Sequence, residues 1–282
     1  MGTTSDLEPA GQAAAADGQR PSSTGARATL SVLELLGVRG DMPLAELSRE
    51  LRIAKSTLHR ICSVLVERGW AVRDRDGRYD LGIRALSMGA HSAELPIVIG
   101  FRSVAAELLT LHDETVCLAA LDGDESVFVA IEETSHRVRL VTHVGSRTAA
   151  FASASGRVIL AGRADEDVAA EYGGRQLVTP TGRRLNGVSE LQAILEETRR
   201  QGYSVNDEET AVGLFSASVP IVNTSGTILA ALTVCVPSSR MTPDRREHIL
   251  ADLRAAGRRL SDHVAWLPAF TVRHPEAPAT AH

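Results

Sequence analysis

The sequence predicts an α+β protein in two folded parts: an N-terminal winged helix-turn-helix and, after a linker helix, a larger C-terminal sheet domain. Three observations carry that reading. Residues 47–70, LSRELRIAKSTLHRICSVLVERGW, hold a short helix, a tight turn and a second helix with one apolar and one polar face. A basic hairpin segment follows. Beyond residue 95, strand-like and helix-like segments alternate to about residue 265. A chain of 282 residues has room for both parts.

Residues 1–25 are rich in Ala, Gly and Ser and lack the basic-then-apolar layout of a signal peptide, so they are expected to form a disordered arm. The winged domain spans 26–82. Its first helix, 27–37, is amphipathic with Leu30, Leu33 and Leu36 on one side. The next covers 44–52, with Pro43 at its first position. On a wheel of 3.6 residues per turn, the helix after it gathers Ala54, Leu58, Ile61, Cys62, Leu65 and Val66 in one apolar arc. Ser56, Arg60 and Ser63 point the opposite way, flanked by Thr57 and His59. A helix that packs by one face and offers such donors outward suits the major groove of a duplex. The same face is also what any solvated helix shows, so its neighbours matter. Residues 70–81, WAVRDRDGRYDL, read as a hairpin whose Asp74-Arg75-Asp76-Gly77 turn uses glycine for a positive φ. Arg73, Arg75 and Arg78 lie on or beside that turn, in reach of phosphates or a minor groove. Lys55, the chain's single lysine, opens the second helix near the edge of its apolar arc, where a phosphate contact is expected.

Residues 83–94 form the linker helix, and Pro96 breaks it from a further helix at 97–111. The second domain, 95–267, then offers strands at 115–121, 126–132 and 137–144, the first two joined by the turn Asp122-Gly123-Asp124-Glu125. A helix at 153–161 has Ser153 or Ser155 as its cap. Ser189 and Gln192 read as a capping box for a helix that Gly202 ends. Strands at 214–222 and 227–236 flank the turn Asn223-Thr224-Ser225-Gly226, and Thr242-Pro243 starts a last helix to about residue 265. Residues 268–282 read as a flexible tail.

Charge divides along the same line. Residues 27–90 carry 11 Lys/Arg against 8 Asp/Glu, a balance of +3 on a chain whose net charge is −5. A basic small domain on an acidic protein fits a selective nucleic-acid binder. No run of about 18 apolar residues predicts a membrane span. Cys62, Cys117 and Cys235 are scattered, without CxxC or His/Cys clusters, so no metal or other cofactor and a reducing, cytoplasmic setting are expected. Candidates for catalysis reduce to Ser153, Ser155 and His143 with the carboxylate run Asp207-Glu208-Glu209. FASASGR is not a G-x-S-x-G elbow, and the acidic run reads as a solvated loop or as partner to nearby arginines.

Four segments, in order, resemble the IclR-type transcriptional regulators: IAKSTLHRICSVLVERGW with YDLGIRALSMG, then LVTHVGSRTAAFASASGRVILAG, then GYSVNDEETAVGLFSASVPI, then GTILAALTVCVP with MTPDRREHI. The resemblance covers nearly all of residues 27–266. It implies a GAF-like effector-binding domain behind the winged helix-turn-helix, a homodimer or tetramer, and a partly palindromic double-stranded DNA operator, with repression as the expected mode. It also implies an effector pocket lined by Gly145, Ser146, Asn206, Ser216, Thr233 and Cys235. The chain departs from the pattern with Phe151 where the family often has His, Phe215-Ser216 for Arg-Cys, Asn206 for an acid, and Thr233 and Cys235 for serines. Phe151 and Phe215 stand as pocket wall or as core filling. As wall, they imply a small effector that is aromatic or otherwise partly apolar.

Overall fold

The computed structural model describes residues 23–92 and 94–268, and the chain divides into two compact units between Gly89 and Ala90. Most of the expected arm and of the expected tail lie outside the described residues, and residues 23–25, expected in the arm, open the first helix.

The first unit runs α1 (Ser23–Arg39), β1 (Met42–Pro43), α2 (Leu44–Leu51), α3 (Lys55–Glu67), β2 (Ala71–Arg73) and β3 (Arg78–Leu81). The strands form a small antiparallel sheet in the order β1-β3-β2. Val32, Leu36, Leu47, Leu58, Cys62, Leu65 and Tyr79 close one core between helices and sheet. The buried stripe of α1 is therefore rotated from the expected one: Val32 and Leu36 are inside, and Leu30 is 59% exposed. Likewise only Leu58, Cys62 and Leu65 of α3 are fully covered, with Ile61 half-buried. Ala54 and Val66, at the margins of the apolar arc, are exposed, because so small a core covers one stripe and nothing beyond it. Gly69 ends α3 at φ +72°: its N–H reaches the Val66 carbonyl (3.0 Å) and the Trp70 N–H reaches Leu65 (2.8 Å). Pro43 precedes α2 and pairs with Arg78 in the sheet instead of occupying the first helical turn.

α4 (Ile83–Ser92) runs across the division between the units. The second unit continues with α5 (Pro96–His112), β4 (Thr115–Asp122), β5 (Glu125–Glu132), β6 (Arg147–Ala149), a 3-10 turn (Ala150–Ala152), α6 (Ala154–Leu160), α7 (Asp165–Tyr172), α8 (Val188–Gln201), β7 (Ser204–Asp207), β8 (Leu214–Val222), β9 (Ile228–Pro237) and α9 (Pro243–Val264). Its six strands form one antiparallel sheet in the order β6-β5-β4-β9-β8-β7. α5 and α9 cover one face, where Phe101, Leu108, Leu118, Leu232, Leu253 and Leu260 meet. α6 covers the other, backed by α8 and α7 through Leu160, Val168, Tyr172, Leu191 and Leu195. Among the described residues, no helix is long and apolar enough to cross a membrane.

Three expectations for this unit change. Residues 137–144 form a loop, with Val138, Val141 and Val144 exposed, and the strand that pairs with β5 is instead the later β6, against Glu125–Val127. β7 and α7 are additional elements. The polar SVND of β7 is a strand through its pairing with β8, and Asp165, Glu166 and Asp167 favour the N-terminal end of α7. The helix expected from Ser189 starts at Val188 after Gly187 (φ +78°), with no hydroxyl cap. The Glu190 carboxylate instead accepts from the Asn186 N–H at 2.7 Å. Gly202 (φ +73°), Ser153 and Thr242 do end or cap their helices, the two hydroxyls accepting from Gly156 N and Arg245 N.

Candidate nucleic-acid interface and ligand cavity

Packing of the first unit decides which face of α3 is offered to solvent. Leu58, Cys62 and Leu65 turn inward, and Lys55, Ser56, His59, Arg60 and Ser63 are exposed, with Thr57 half-buried at the flank. The Ser63 hydroxyl donates to the His59 carbonyl (2.8 Å), which orients it along the helix. In the hairpin, the Asp74 carboxylate accepts from the Asp76 and Arg78 N–H groups (3.0 and 2.8 Å) and shapes the turn, with Gly77 at φ +80°. Arg75 stands exposed at the tip. Arg73 lies over the Tyr79 ring at 5.4 Å, its guanidinium anchored on the hairpin itself. Arg78 pairs with the Asp41 carboxylate and donates to the Asp41 carbonyl (2.8 Å), so it braces the hairpin against the segment before β1. An exposed cation beside α3 was not singled out from the sequence. Arg52 occupies the turn between α2 and α3 at φ +54°, a conformation that costs energy for a residue with a Cβ. Its signal would have been the shortness of that turn.

The second unit holds a cavity of about 150 Å³ on the α6 side of the sheet. Strand alternation aims Ser126 and Phe128 of β5, Ser216 of β8, and Thr233 and Cys235 of β9 into it. Ser153 and Ser155 close one end. The loop before β6 contributes Leu140, Thr142 and Ser146, β6 contributes Thr148, and the loop after β7 contributes Thr210 and Ala211. Most of the lining side chains carry a hydroxyl and none is charged. Several hydroxyls are chained together: Ser126 to Ser155 at 2.8 Å, Ser155 to Ser153 at 3.4 Å, and Thr233 to Ser218 behind the wall at 2.8 Å. Such a surface can give and accept hydrogen bonds around a small molecule but supplies no cation for a full charge.

Of the effector residues expected from the resemblance, Ser146, Ser216, Thr233 and Cys235 line this cavity, and Gly145, Phe151 and Asn206 do not. Phe151 packs edge-on to Tyr172, ring centres 6.1 Å apart, in the core between α6 and α8. Phe215 is buried on the α5–α9 face beneath Arg246. Both are therefore core filling. Asn206 is wholly buried: its amide donates to the Ala152 carbonyl, and its oxygen accepts from Glu209 N and Thr210 N at 3.2 and 3.3 Å. It stitches the start of α6 to the loop after β7. Gly145 (φ +92°) borders a different, almost wholly apolar cleft of about 390 Å³ with Val129 and Val144.

Two ion clusters, each built on a buried charge, tie down segments near the cavity. Arg157, 3% exposed, donates to the Phe151 carbonyl (2.8 Å) and pairs with Glu209, which Arg183 also meets. The acidic run thus contributes a structural partner at Glu209. Glu114, fully buried, lies between Arg240 (2.6 Å) and Arg245 (2.8 Å), and Arg240 also donates to the Val138 carbonyl of the loop (2.9 Å). The rim hydroxyls Ser126, Thr148 and Thr210 were missed by sequence reasoning. Only the period-two alternation of β5 hinted at Ser126.

Two family models match the chain: the IclR helix-turn-helix domain over residues 27–75 and the bacterial transcriptional regulator IclR C-terminal domain over residues 89–262. The chain is 26% identical to the transcriptional regulator KdgR of Escherichia coli K12, across 89% of this chain and 96% of that one. It is 32% identical to the transcriptional repressor AllR of Escherichia coli K12, across 77% and 80%. It superposes on the crystal structure of an ICLR transcriptional regulator from Silicibacter sp. TM1040 with a TM-score of 0.75 and 28% identity, across 84% and 96%.

Proposed function

The chain belongs to the IclR family of bacterial helix-turn-helix transcriptional regulators, a DNA-binding class and not an enzyme class, and from that premise we propose how its residues divide the work. Residues 26–82 read an operator, 83–94 transmit, and 95–267 bind a small effector. The observation that carries the reading is the polarity of α3: Leu58, Cys62 and Leu65 seal the core while Ser56, His59, Arg60 and Ser63 face solvent, where base edges could meet them. Thr57 and Lys55 serve the flanks and the phosphates, Arg75 a groove or backbone beside the site, and Arg73 and Arg78 chiefly hold the hairpin in shape. The named relative AllR is a repressor, which supports repression as the mode here. The reading places the protein in the cytoplasm, where its DNA target is.

The effector is small and partly apolar. A cavity of about 150 Å³ holds a molecule of benzene size, and Phe128, Leu140 and Leu214 supply apolar wall among the hydroxyls. Ser146, Ser216, Thr233 and Cys235 are its nearest donors and acceptors. A homodimer or tetramer on a partly palindromic site lets the effector act by favouring one spacing of the paired α3 helices. Two measurements test this. Binding to the intergenic region beside the gene should weaken steeply with salt and leave a bounded footprint, and a shallow salt slope with no footprint refutes operator reading. Thermal unfolding across a panel of aromatic and short-chain acids should single out a few stabilising ligands, and uniform silence refutes the effector reading.

A further inference from the structure

The hydroxyl cavity conceals a pair of thiols. Pairing of β4 with β9 sets Cys117 opposite Thr233 and Cys235 opposite Thr115, so the two cysteines are diagonal neighbours. They share one sheet face, since the alternate residues Val116, Leu118, Val234 and Val236 belong to the α5–α9 core. Cys235 lines the cavity, Cys117 does not, and both are buried. The neighbouring Cys235 thiol, together with burial, raises the Cys117 pKa. Beside them the Thr115 hydroxyl is buried without a hydrogen-bond partner.

We propose that Cys117 and Cys235 form a two-coordinate site for a soft divalent d10 cation, with the Thr115 hydroxyl donating to a bound thiolate. Geometry chooses this over a disulfide. Diagonal strand neighbours have Cα atoms roughly 7–8 Å apart, beyond the span of about 7 Å that a disulfide bridges. One ion in line between two sulfurs, at about 2.3 Å to each, spans about 4.6 Å. Zinc is not served, because it takes four donors and among the described residues no group of three or more His, Cys, Asp or Glu gathers to hold an ion. Charge chooses a divalent ion. Two thiols lose two protons to solvent as two metal–sulfur bonds form, and the complex is neutral in a wall without cations.

The test uses the full-length protein with mercuric ion as probe and free cysteine in excess as competitor, reading retained metal, thiolate-to-metal absorption and protons released. The wild type and Cys62→Ser should each retain one equivalent and release about two protons. Cys117→Ser and Cys235→Ser should each bind about a hundredfold more weakly, having lost the chelate. Cys62, buried in the first unit, is the internal control. Unfolding the loaded wild type in denaturant, then alkylating and mapping peptides, gives the same answer without variants: Cys117 and Cys235 stay protected together, and Cys62, no longer shielded by burial, does not. Retention that survives Cys117→Ser, retention that follows Cys62, no retention by the wild type, or equal retention of zinc would overturn the site.

Discussion

Arg60 concentrates the DNA-reading proposal in one side chain. It is exposed in the second turn of α3, on the face turned from the Leu58–Leu65 stripe. Arg60→Ala should cost about 1–3 kcal/mol on the operator and relax base preference at one position. Competition between operator and random DNA measures it, and equal loss on both would mean that Arg60 meets only phosphate. A second residue-scale prediction concerns acid. The Thr134 hydroxyl and the Ser135 N–H donate to the Asp113 carboxylate and hold its pKa below the usual carboxylate range. A pKa lower in the folded than in the unfolded state stabilises above the unfolded value, about 3.9, and the gain is lost as pH falls through the folded one. Asp113→Asn should therefore lower the unfolding temperature at neutral pH, and its difference from wild type should close in acid. A constant gap across the pH range would refute the linkage. The outward character of Arg60 was legible from helical period alone, whereas the partners of Asp113, 21 and 22 residues downstream, were not.

At the scale of elements, α6 is held by a close approach. A Cβ on Gly156 would overlap the Cα and carbonyl of Ala150 in the preceding turn. Backbone cannot yield as a side chain can, so Gly156→Ala should cost at least about 1–3 kcal/mol, as overpacking does. It should also shift Ser153 and Ser155 and weaken effector binding; an unchanged urea midpoint would contradict the packing. The hairpin offers the opposite case. Arg75 sits at the tip of a turn that Asp74 and Gly77 already shape, so Arg75→Ala should leave stability intact, weaken all DNA similarly and reduce the salt slope by about one. An unchanged slope would mean that the tip stays clear of the duplex. Elements with strong local signals, such as β4, β5, β8, β9 and α9, stand where the sequence puts them. The valine-rich 137–144 segment does not: strand propensity makes a strand only where a partner is paired, and β5 pairs with β6 instead.

For the whole molecule, the proposed mechanism has the effector act through the spacing of two recognition helices. Adding five base pairs between half-sites turns one of them to the far side of the duplex, and cooperative binding should fall at least tenfold, by the helical repeat. An effector found by thermal shift should change operator affinity roughly 5- to 150-fold. Insensitivity to both would confine the DNA contact to a single winged domain. What the amino-acid sequence determined by itself was local and periodic: the amphipathic α3, the Gly77 turn, the Gly202 helix end, and the alternation that gives each strand two faces. Those follow from propensities and spacing within a few residues. Tertiary structure alone decided which residues share a cavity. Asn206 and Phe151 bear the right chemistry for a pocket yet serve packing, and Ser126 joins Cys235 across β4, because strand order and helix placement depend on contacts between residues far apart in the chain.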